Sequence, residues 1–219
     1  TFFNFTASHD GIGLRPVEGI LAPDELAQMI AHVEANGGRV SYRALPDGSK
    51  KPYELNITYV DATGAPGITP GQHIKRFLLS QAVMLSLSGV PAIYLHSLVG
   101  TRNDVAGVEQ LGYNRAINRA KLDADPLETE LRDADTFRAQ VFNAYADLVR
   151  ARRGHPAFHP LGSQRAYTLN EGRVLALERT APGGGERLLA LFNFSDQPQT
   201  VEHGELAPYE YPKEIEFID

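Results

Sequence analysis

The sequence predicts an α/β chain in two parts: barrel-type βα units over residues 1–157, then a small antiparallel β domain over 158–219. Three observations carry this. Apolar runs at 2–7 and 90–95 have strand length, and helical patterns at 72–88 and 137–152 alternate with them. Beyond Gly154 the chain turns to short runs separated by Asn-Glu-Gly, Pro-Gly-Gly-Gly and Ser-Asp-Gln-Pro, the spelling of tight turns between antiparallel strands.

Phe2 to Ala7 predicts a buried strand. It runs into Ser8-His9-Asp10-Gly11-Ile12-Gly13, where two glycines break the strand and leave an imidazole and a carboxylate at its end. Pro23-Asp24-Glu25 supplies the proline and acidic first turn of a helix, which continues through Leu26, Met29, Ile30 and Val33 and stops at Asn36-Gly37-Gly38. Arg39 to Leu45 and Tyr53 to Asp61 alternate in part and flank a turn-rich, charged stretch from Pro46 to Pro52; a hairpin and an extended lid loop both fit. Gln72 to Ser88, with Ile74, Phe77, Leu78, Ala82 and Leu85, predicts a buried helix closed by Gly89. Val90 to Leu95 follows as a buried strand with Pro91 near its start. Phe137 to Arg152 predicts a second amphipathic helix, with Phe137, Val141, Phe142, Tyr145, Leu148 and Val149 on its apolar face. Strands are then expected at Gln164 to Leu169, Val174 to Arg179, Arg187 to Phe194 and Gln199 to His203.

A closed (β/α)8 TIM barrel takes about 250 residues, and the first part offers only two βα units. The expected fold is therefore the last strands and helices of an incomplete barrel, with the antiparallel domain appended. The chain has no initiator Met and opens on Thr1-Phe2-Phe3 in mid-strand, so a fragment or processed product is expected.

Composition narrows the classes. At 42% hydrophobic and 22% charged residues the chain can fold, and a formal charge of −6 lacks the basic footprint of nucleic-acid or anionic-membrane binding. The longest apolar stretch, Phe77 to Val90, is interrupted by Ser80, Gln81, Ser86, Ser88 and Gly89 and falls short of the roughly 20 residues that span a bilayer. Zero cysteines exclude disulfide and thiolate chemistry.

In a parallel barrel the C-terminal ends of the strands carry the chemistry. A carboxylate there, such as Asp10, can stabilise an oxocarbenium-like centre or bind sugar hydroxyls, and His9 can donate to a hydroxyl. Spacing alone favours a plain Asp-Gly turn. Arg115 and Arg119 share a face if their segment is helical, giving a fork for phosphate or an anionic acceptor; the structural alternative pairs them with Asp104, Glu109 or Asp123. Tyr53, beside Lys50 and Lys51, can donate to phosphate when its loop closes. Glu54 and Asn56 can bond acceptor hydroxyls or serve a strand edge, and His96 faces the mouth by position or is structural. Other chemistries fail on spacing. His155 and His159 are split by prolines with no acidic third ligand, Gly11-Ile12-Gly13 lacks the third glycine of a dinucleotide fingerprint, and Ser8 has no nucleophile elbow around it.

Asn4-Phe5-Thr6-Ala7-Ser8-His9-Asp10-Gly11-Ile12-Gly13 resembles the strand-seven motif of the α-amylase-type glycoside hydrolase family, and Gly11 to Val17 resembles its sucrose-phosphorylase-like branch. Tyr53-Glu54-Leu55-Asn56-Ile57-Thr58-Tyr59 is similar to the mobile acceptor loop of that branch, placed here at 39–56. Gly89 to Leu95 is similar to its eighth strand, Gly100-Thr101-Arg102-Asn103-Asp104 to the loop after it, and Asn114-Arg115-Ala116-Ile117-Asn118-Arg119 to its Arg-x-Ile-Asn-Arg element. The resemblance covers residues 2–152, and Leu191 to Ser195 extends it into the β domain.

The resemblance implies a retaining phosphorylase that moves an α-glucosyl unit from a sucrose, sucrose 6-phosphate or glucosylglycerate type of donor to phosphate. Asp10 is then the transition-state stabiliser, with His9, Tyr53, Glu54, Asn56 and Arg115 on substrate. It implies no cofactor or metal, inorganic phosphate as co-substrate, a cytoplasmic location and the rest of the barrel as a partner, and leaves a homodimer open. The nucleophile and acid/base motifs of strands four and five are not in the sequence, so the chain alone is expected to be inactive. Hydrolase or transglucosidase activity of the same family, and a non-catalytic carbohydrate-binding or interaction module, are the alternatives. Lys50-Lys51-Pro52-Tyr53-Glu54 points to an anionic acceptor over fructose.

Overall fold

The computed structural model describes residues 1–201, 204–206, 208 and 210. Its strands are β1 (Phe3–Asn4), β2 (Ile12–Gly13), β3 (Arg39–Ala44), β4 (Lys50–Asn56), β5 (Val90–Pro91), β6 (Ser163–Leu169), β7 (Val174–Thr180), β8 (Arg187–Asn193), β9 (Gln199–Val201) and β10 (Gly204–Leu206). Its α-helices are α1 (Pro23–Ala35), α2 (Tyr59–Ala62), α3 (Pro70–Ser86), α4 (Leu95–Leu98), α5 (Val105–Leu111), α6 (Ala124–Arg132) and α7 (Phe137–Gly154). The expected end of the last strand, Glu202 and His203, lies outside the described residues. The chain divides into two compact units, one of residues 1–5, 74–92 and 143–219 and one of 6–73 and 93–142.

In the first unit β1 and β5 pair in parallel, Phe3 opposite Val90 and Asn4 opposite Pro91. Val90 N donates to Phe2 O at 2.9 Å and Ala92 N to Asn4 O at 2.7 Å. Both runs are shorter than the sequence predicts and neither is buried. Phe2 is 75%, Phe3 67%, Phe5 56% and Val90 42% exposed. Each strand has only the other as a ladder neighbour among the described residues, so no sheet face closes over their side chains. The expected strand also stops early, because Leu95 starts α4.

The core of this unit comes from α3, α7 and the sheet β6-β7-β8. Phe77 meets Tyr145 edge-on at 6.0 Å, and the Tyr145 hydroxyl donates to Gln81 Oε1 at 2.7 Å. In the antiparallel meander Ser163 faces Thr180, Leu169 faces Val174, and Val174 faces Asn193. Period-two alternation buries Leu188, Ala190 and Phe192 on one face of β8.

Arg179 of β7 is fully buried and still satisfied. Its Nε donates to Ser163 O at 3.2 Å, Nη1 to Ser86 O at 2.7 Å and Nη2 to His159 O at 3.1 Å. Arg152 donates to Leu85 O, Gly89 O and Phe158 O. Leu85 and Ser86 are last-turn carbonyls of α3, which lack intrahelical donors, so two guanidinium groups cap the negative end of that helix. Burial, and then the neighbouring Arg152 charge, push Arg179 down to a pKa of about 10.

In the second unit 39–56 is a hairpin rather than an extended lid. β3 and β4 are joined by a short turn over residues 45–49, and β2 adds to the far edge of β4. Leu14, Leu55, Ile57 and Val33 of α1 form the core beneath it, with Leu26, Met29 and Ile30 packed against them. α1 begins at Pro23, where Glu25 Oε2 accepts from Ala22 N at 2.8 Å, and ends at Ala35, two residues before Gly37 (φ +78°).

Candidate functional site

The site grows from one turn in the second unit. Gly11 N donates to Ser8 O at 3.1 Å, Ser8 N to Gly11 O at 3.3 Å, and Asp10 N to Ser8 Oγ at 3.2 Å. Asp10-Gly11 is thus a tight turn and also the seat of a charge cluster. Gly11 has φ +104°, and a Cβ there would lie 2.3 Å from Leu55 O of β4. Only glycine lets the turn lie this close to the hairpin.

Asp10 Oδ1 receives Arg119 Nη2 at 2.8 Å and Arg115 Nη1 at 3.2 Å, with His9 Nε2 at 3.4 Å. Arg115 turns its Nε and Nη2 onto Glu54, at 3.0 and 2.7 Å, a two-pronged guanidinium–carboxylate pair. Arg119 Nε also donates to His9 O at 3.1 Å. Arg115 lies within a 3₁₀ turn, Asn114–Asn118, and Arg119 caps its end, instead of both lying on an α-helix, and both still reach Asp10. Their partners are Asp10 and Glu54; Asp104 instead caps α5 by accepting from Gly107 N at 2.8 Å.

β4 supplies the inner half of the cluster. Asn56 Nδ2 donates to Glu54 Oε1 and to Asp10 O, and Asn56 Oδ1 accepts from Ser41 Oγ of β3 at 2.6 Å. Exposure sorts the members. Asp10, Arg115 and Arg119 keep about a third of their side-chain surface open, whereas Glu54 keeps 7%. The hydrogen bonds to Glu54, opposed by burial and reinforced by the Glu54 and Asp10 charges, hold the Arg115 pKa well above its ordinary value. This firmly charged guanidinium is anchored on its inner side by Glu54 through Nε and Nη2, while its Nη1 meets Asp10 at the partly exposed side.

The other predicted residues lie as follows. Tyr53 O accepts from Leu14 N at 2.9 Å. His9 is largely exposed. Lys51 pairs with Glu18 at 3.3 Å, and that bond leads in lowering the Glu18 pKa; Lys50 is exposed. His96 Nδ1 shares a hydrogen bond with Thr101 Oγ1 at 3.0 Å, and burial, then the Arg138 charge, lower its pKa. In the other unit His155 meets Glu186 at 3.4 Å and His159 Nδ1 accepts from Leu161 N at 3.1 Å. Among the described residues no three His, Asp or Glu side chains are grouped to hold a metal, and no helix is long and apolar enough to cross a membrane.

Sequence reasoning missed a second network. Buried Asp61 accepts from Arg102 Nε and from Asn103 N at 2.6 Å, while Asn103 Oδ1 accepts from Thr58 N at 2.9 Å. This ties the 100–104 loop to the exit of β4. Thr58-x-x-Asp61, which opens α2 with Thr58 as its cap and Asp61 in its first turn, has the form of a helix start, and that was the available signal.

No protein-family model matches the chain. It is 40% identical over 218 residues to a glucosylglycerate phosphorylase of Escherichia coli K12, covering 100% of this chain and 39% of that protein. A glucosylglycerate phosphorylase of Spirochaeta thermophila is 46% identical over 195 residues, 89% of this chain and 33% of that one. The chain is a homologue of glycoside phosphorylases. It spans 33–39% of the length of these curated relatives. The crystal structure of a sucrose 6F-phosphate phosphorylase from Thermoanaerobacter thermosaccharolyticum superposes with a TM-score of 0.62 at 17% identity, over 96% of this chain and 39% of that chain, a likeness of fold. The family resemblance read from the motifs is thereby borne out.

Proposed function

We propose that this chain is the acceptor-side portion of a retaining glucoside phosphorylase, which transfers an α-glucosyl unit from a small α-glucoside of the sucrose, sucrose 6-phosphate or glucosylglycerate type to inorganic phosphate, releasing the acceptor and giving α-glucose 1-phosphate. β1 and β5 would be neighbouring staves of a (β/α)8 barrel completed by polypeptide outside this chain. Their parallel pairing and the exposed Phe2, Phe3, Phe5 and Val90 support that placement. The catalytic nucleophile and acid/base would come from that other portion, so the chain alone would not turn over, and the location would be cytoplasmic.

The observation that carries the proposal is the Asp10 cluster on a homologue of phosphorylases: one carboxylate held between Arg115 and Arg119, beside a hairpin bearing Tyr53, Glu54 and Asn56. Asp10 supplies negative charge where the glucosyl carbon becomes oxocarbenium-like. His9 donates to a sugar hydroxyl. Arg115 and Tyr53 present donors to phosphate in one half-reaction and to the acceptor in the other. The nucleophile's carboxylate oxygen bonds to the glucosyl carbon as the bond from that carbon to the acceptor oxygen breaks and that oxygen takes the acid's proton; a phosphate oxygen then bonds to the same carbon, expels the nucleophile carboxylate and returns a proton to the acid/base, with net retention.

Glycerate is the leading acceptor, since the two relatives at 40% and 46% identity are glucosylglycerate phosphorylases and glycerate is anionic. The full protein, given α-glucose 1-phosphate with glycerate, glycerol, fructose or fructose 6-phosphate in turn, should release phosphate fastest with glycerate. Glucose release that is independent of both phosphate and acceptor would replace this assignment with a hydrolase.

A further inference from the structure

Among the residues expected on substrate, Glu54 is set apart by burial. Both of its carboxylate oxygens accept from Arg115, one also accepts from Asn56, and 7% of its side chain is open. A carboxylate so enclosed has little left to offer an acceptor hydroxyl. Asn56, fully buried, is engaged with Ser41, Glu54 and Asp10 O. The bonds form one continuous path from β3 through β4 to the Asp10 turn: Ser41, Asn56, Glu54, Arg115, Asp10.

We infer that Glu54 is a positioning residue rather than a substrate ligand: it fixes the plane and rotamer of the Arg115 guanidinium, so that the hairpin dictates how the arginine meets an anion. Arginine carries several freely rotating bonds, and an unanchored fork would lose that freedom on each binding event. Glu54 removes the cost in advance. Asn56 holds the Glu54 carboxylate and the Asp10 main chain at once, which keeps the distance between fork and turn constant.

This rests on the phosphorylase proposal for the identity of the anion, but not for the dependence of Arg115 on Glu54. The test is a double-mutant cycle in the full protein with Glu54→Gln, Arg115→Lys and the pair, backed by Glu54→Asp. Steady-state phosphorolysis is read together with hydrogen exchange of the Arg115 Nε–H in nitrogen-labelled protein. Glu54→Gln should raise KM for phosphate about 10-fold with kcat changed less than about threefold, and speed Nε–H exchange about 10-fold, the scale of one charge-assisted bond. Glu54→Asp should recover part of both. With Arg115→Lys already present, Glu54→Gln should add nothing to KM. Additive effects would make Glu54 a direct ligand, and wild-type KM with wild-type exchange would leave it no role; either overturns the inference. If the wild-type protein proves to have no phosphorolysis, the phosphorylase proposal fails, and unchanged Nε–H exchange in Glu54→Gln still sinks this one.

Discussion

Replacing Gly11 by alanine probes the site and the fold together. Two costs add. The backbone at φ +104° lies outside the regions an L-residue prefers, which costs about 1–2 kcal/mol. The new Cβ would also sit 2.3 Å from Leu55 O and 3.1 Å from Asn118 Nδ2, the first about an ångström inside ordinary contact and against a carbonyl locked in the β2-β4-β3 sheet. Overpacking of that kind costs about 1–3 kcal/mol. The sum is about 2–5 kcal/mol, and relief by moving the turn would carry Asp10 away from Arg115 and Arg119. Gly48→Ala and Gly19→Ala isolate the first term, for their φ values are +83° and +79° and nothing lies within 4 Å of an added Cβ. Urea unfolding followed by far-ultraviolet circular dichroism measures all three. With a slope of about 2 kcal/mol per molar, Gly11→Ala should lower the midpoint by about 1–2.5 M and the controls by less than about 1 M. A Gly11→Ala midpoint equal to that of Gly48→Ala would show that the turn does not rest on β4, and the account of the Asp10 seat would fail.

Two further outcomes follow from ionisable groups that are partly or fully buried. His96 has a folded pKa lowered by burial and by Arg138, so the folded state binds the proton less readily than the unfolded chain. Stability should therefore fall as pH drops below about 6.5 and level off below the folded pKa, by at most about 1.4 kcal/mol per pH unit; His96→Gln should flatten that limb, and an unchanged limb would remove His96 as its source. Arg179→Met keeps most of the volume but leaves Ser163 O, Ser86 O and His159 O without their donor, and should cost about 2–4 kcal/mol in thermal unfolding. A Met variant as stable as wild type would mean that burying the charge had cancelled the three bonds.

How much was legible in the sequence follows from which forces are local. Helices α1, α3 and α7 were readable within two residues because 3.6-residue periodicity and glycine or proline punctuation are written along the chain. The meander β6-β7-β8 announced itself through its turns. The runs at 2–7 and 90–95 carried the composition of buried strands, but burial needs covering layers, and Phe2, Phe3 and Phe5 stay open without them. Asp10, Arg115 and Glu54 were named as separate candidates. That one guanidinium would join both carboxylates depends on a contact between segments far apart in sequence, which spacing does not encode. Arg119, left undecided, turned out to grip Asp10 by side chain and His9 by main chain for the same reason.

The unequal burial of the two carboxylates decides where an anion can enter the cluster. Glu54 holds Arg115 through two bonds with little water nearby, whereas Asp10 meets it through one contact of 3.2 Å at a third-exposed surface. Screening is stronger on the exposed side, so the Asp10 contact is the weaker one and the first to yield. Under the proposed function, phosphate arriving at the outer edge of Arg115 therefore comes to lie beside Asp10, and the two like charges repel in the resting complex. That repulsion is relieved when the glucosyl carbon between them takes on positive charge, because each then faces an opposite charge at short range. An arrangement unfavourable before the reaction and favourable at its summit raises the rate instead of merely tightening binding. Asp10→Asn should accordingly bind phosphate at least as tightly as wild type while kcat falls on the order of 10³-fold. Weaker phosphate binding in that variant would mean that Asp10 helps hold the anion, and the charge ordering would have to be reversed.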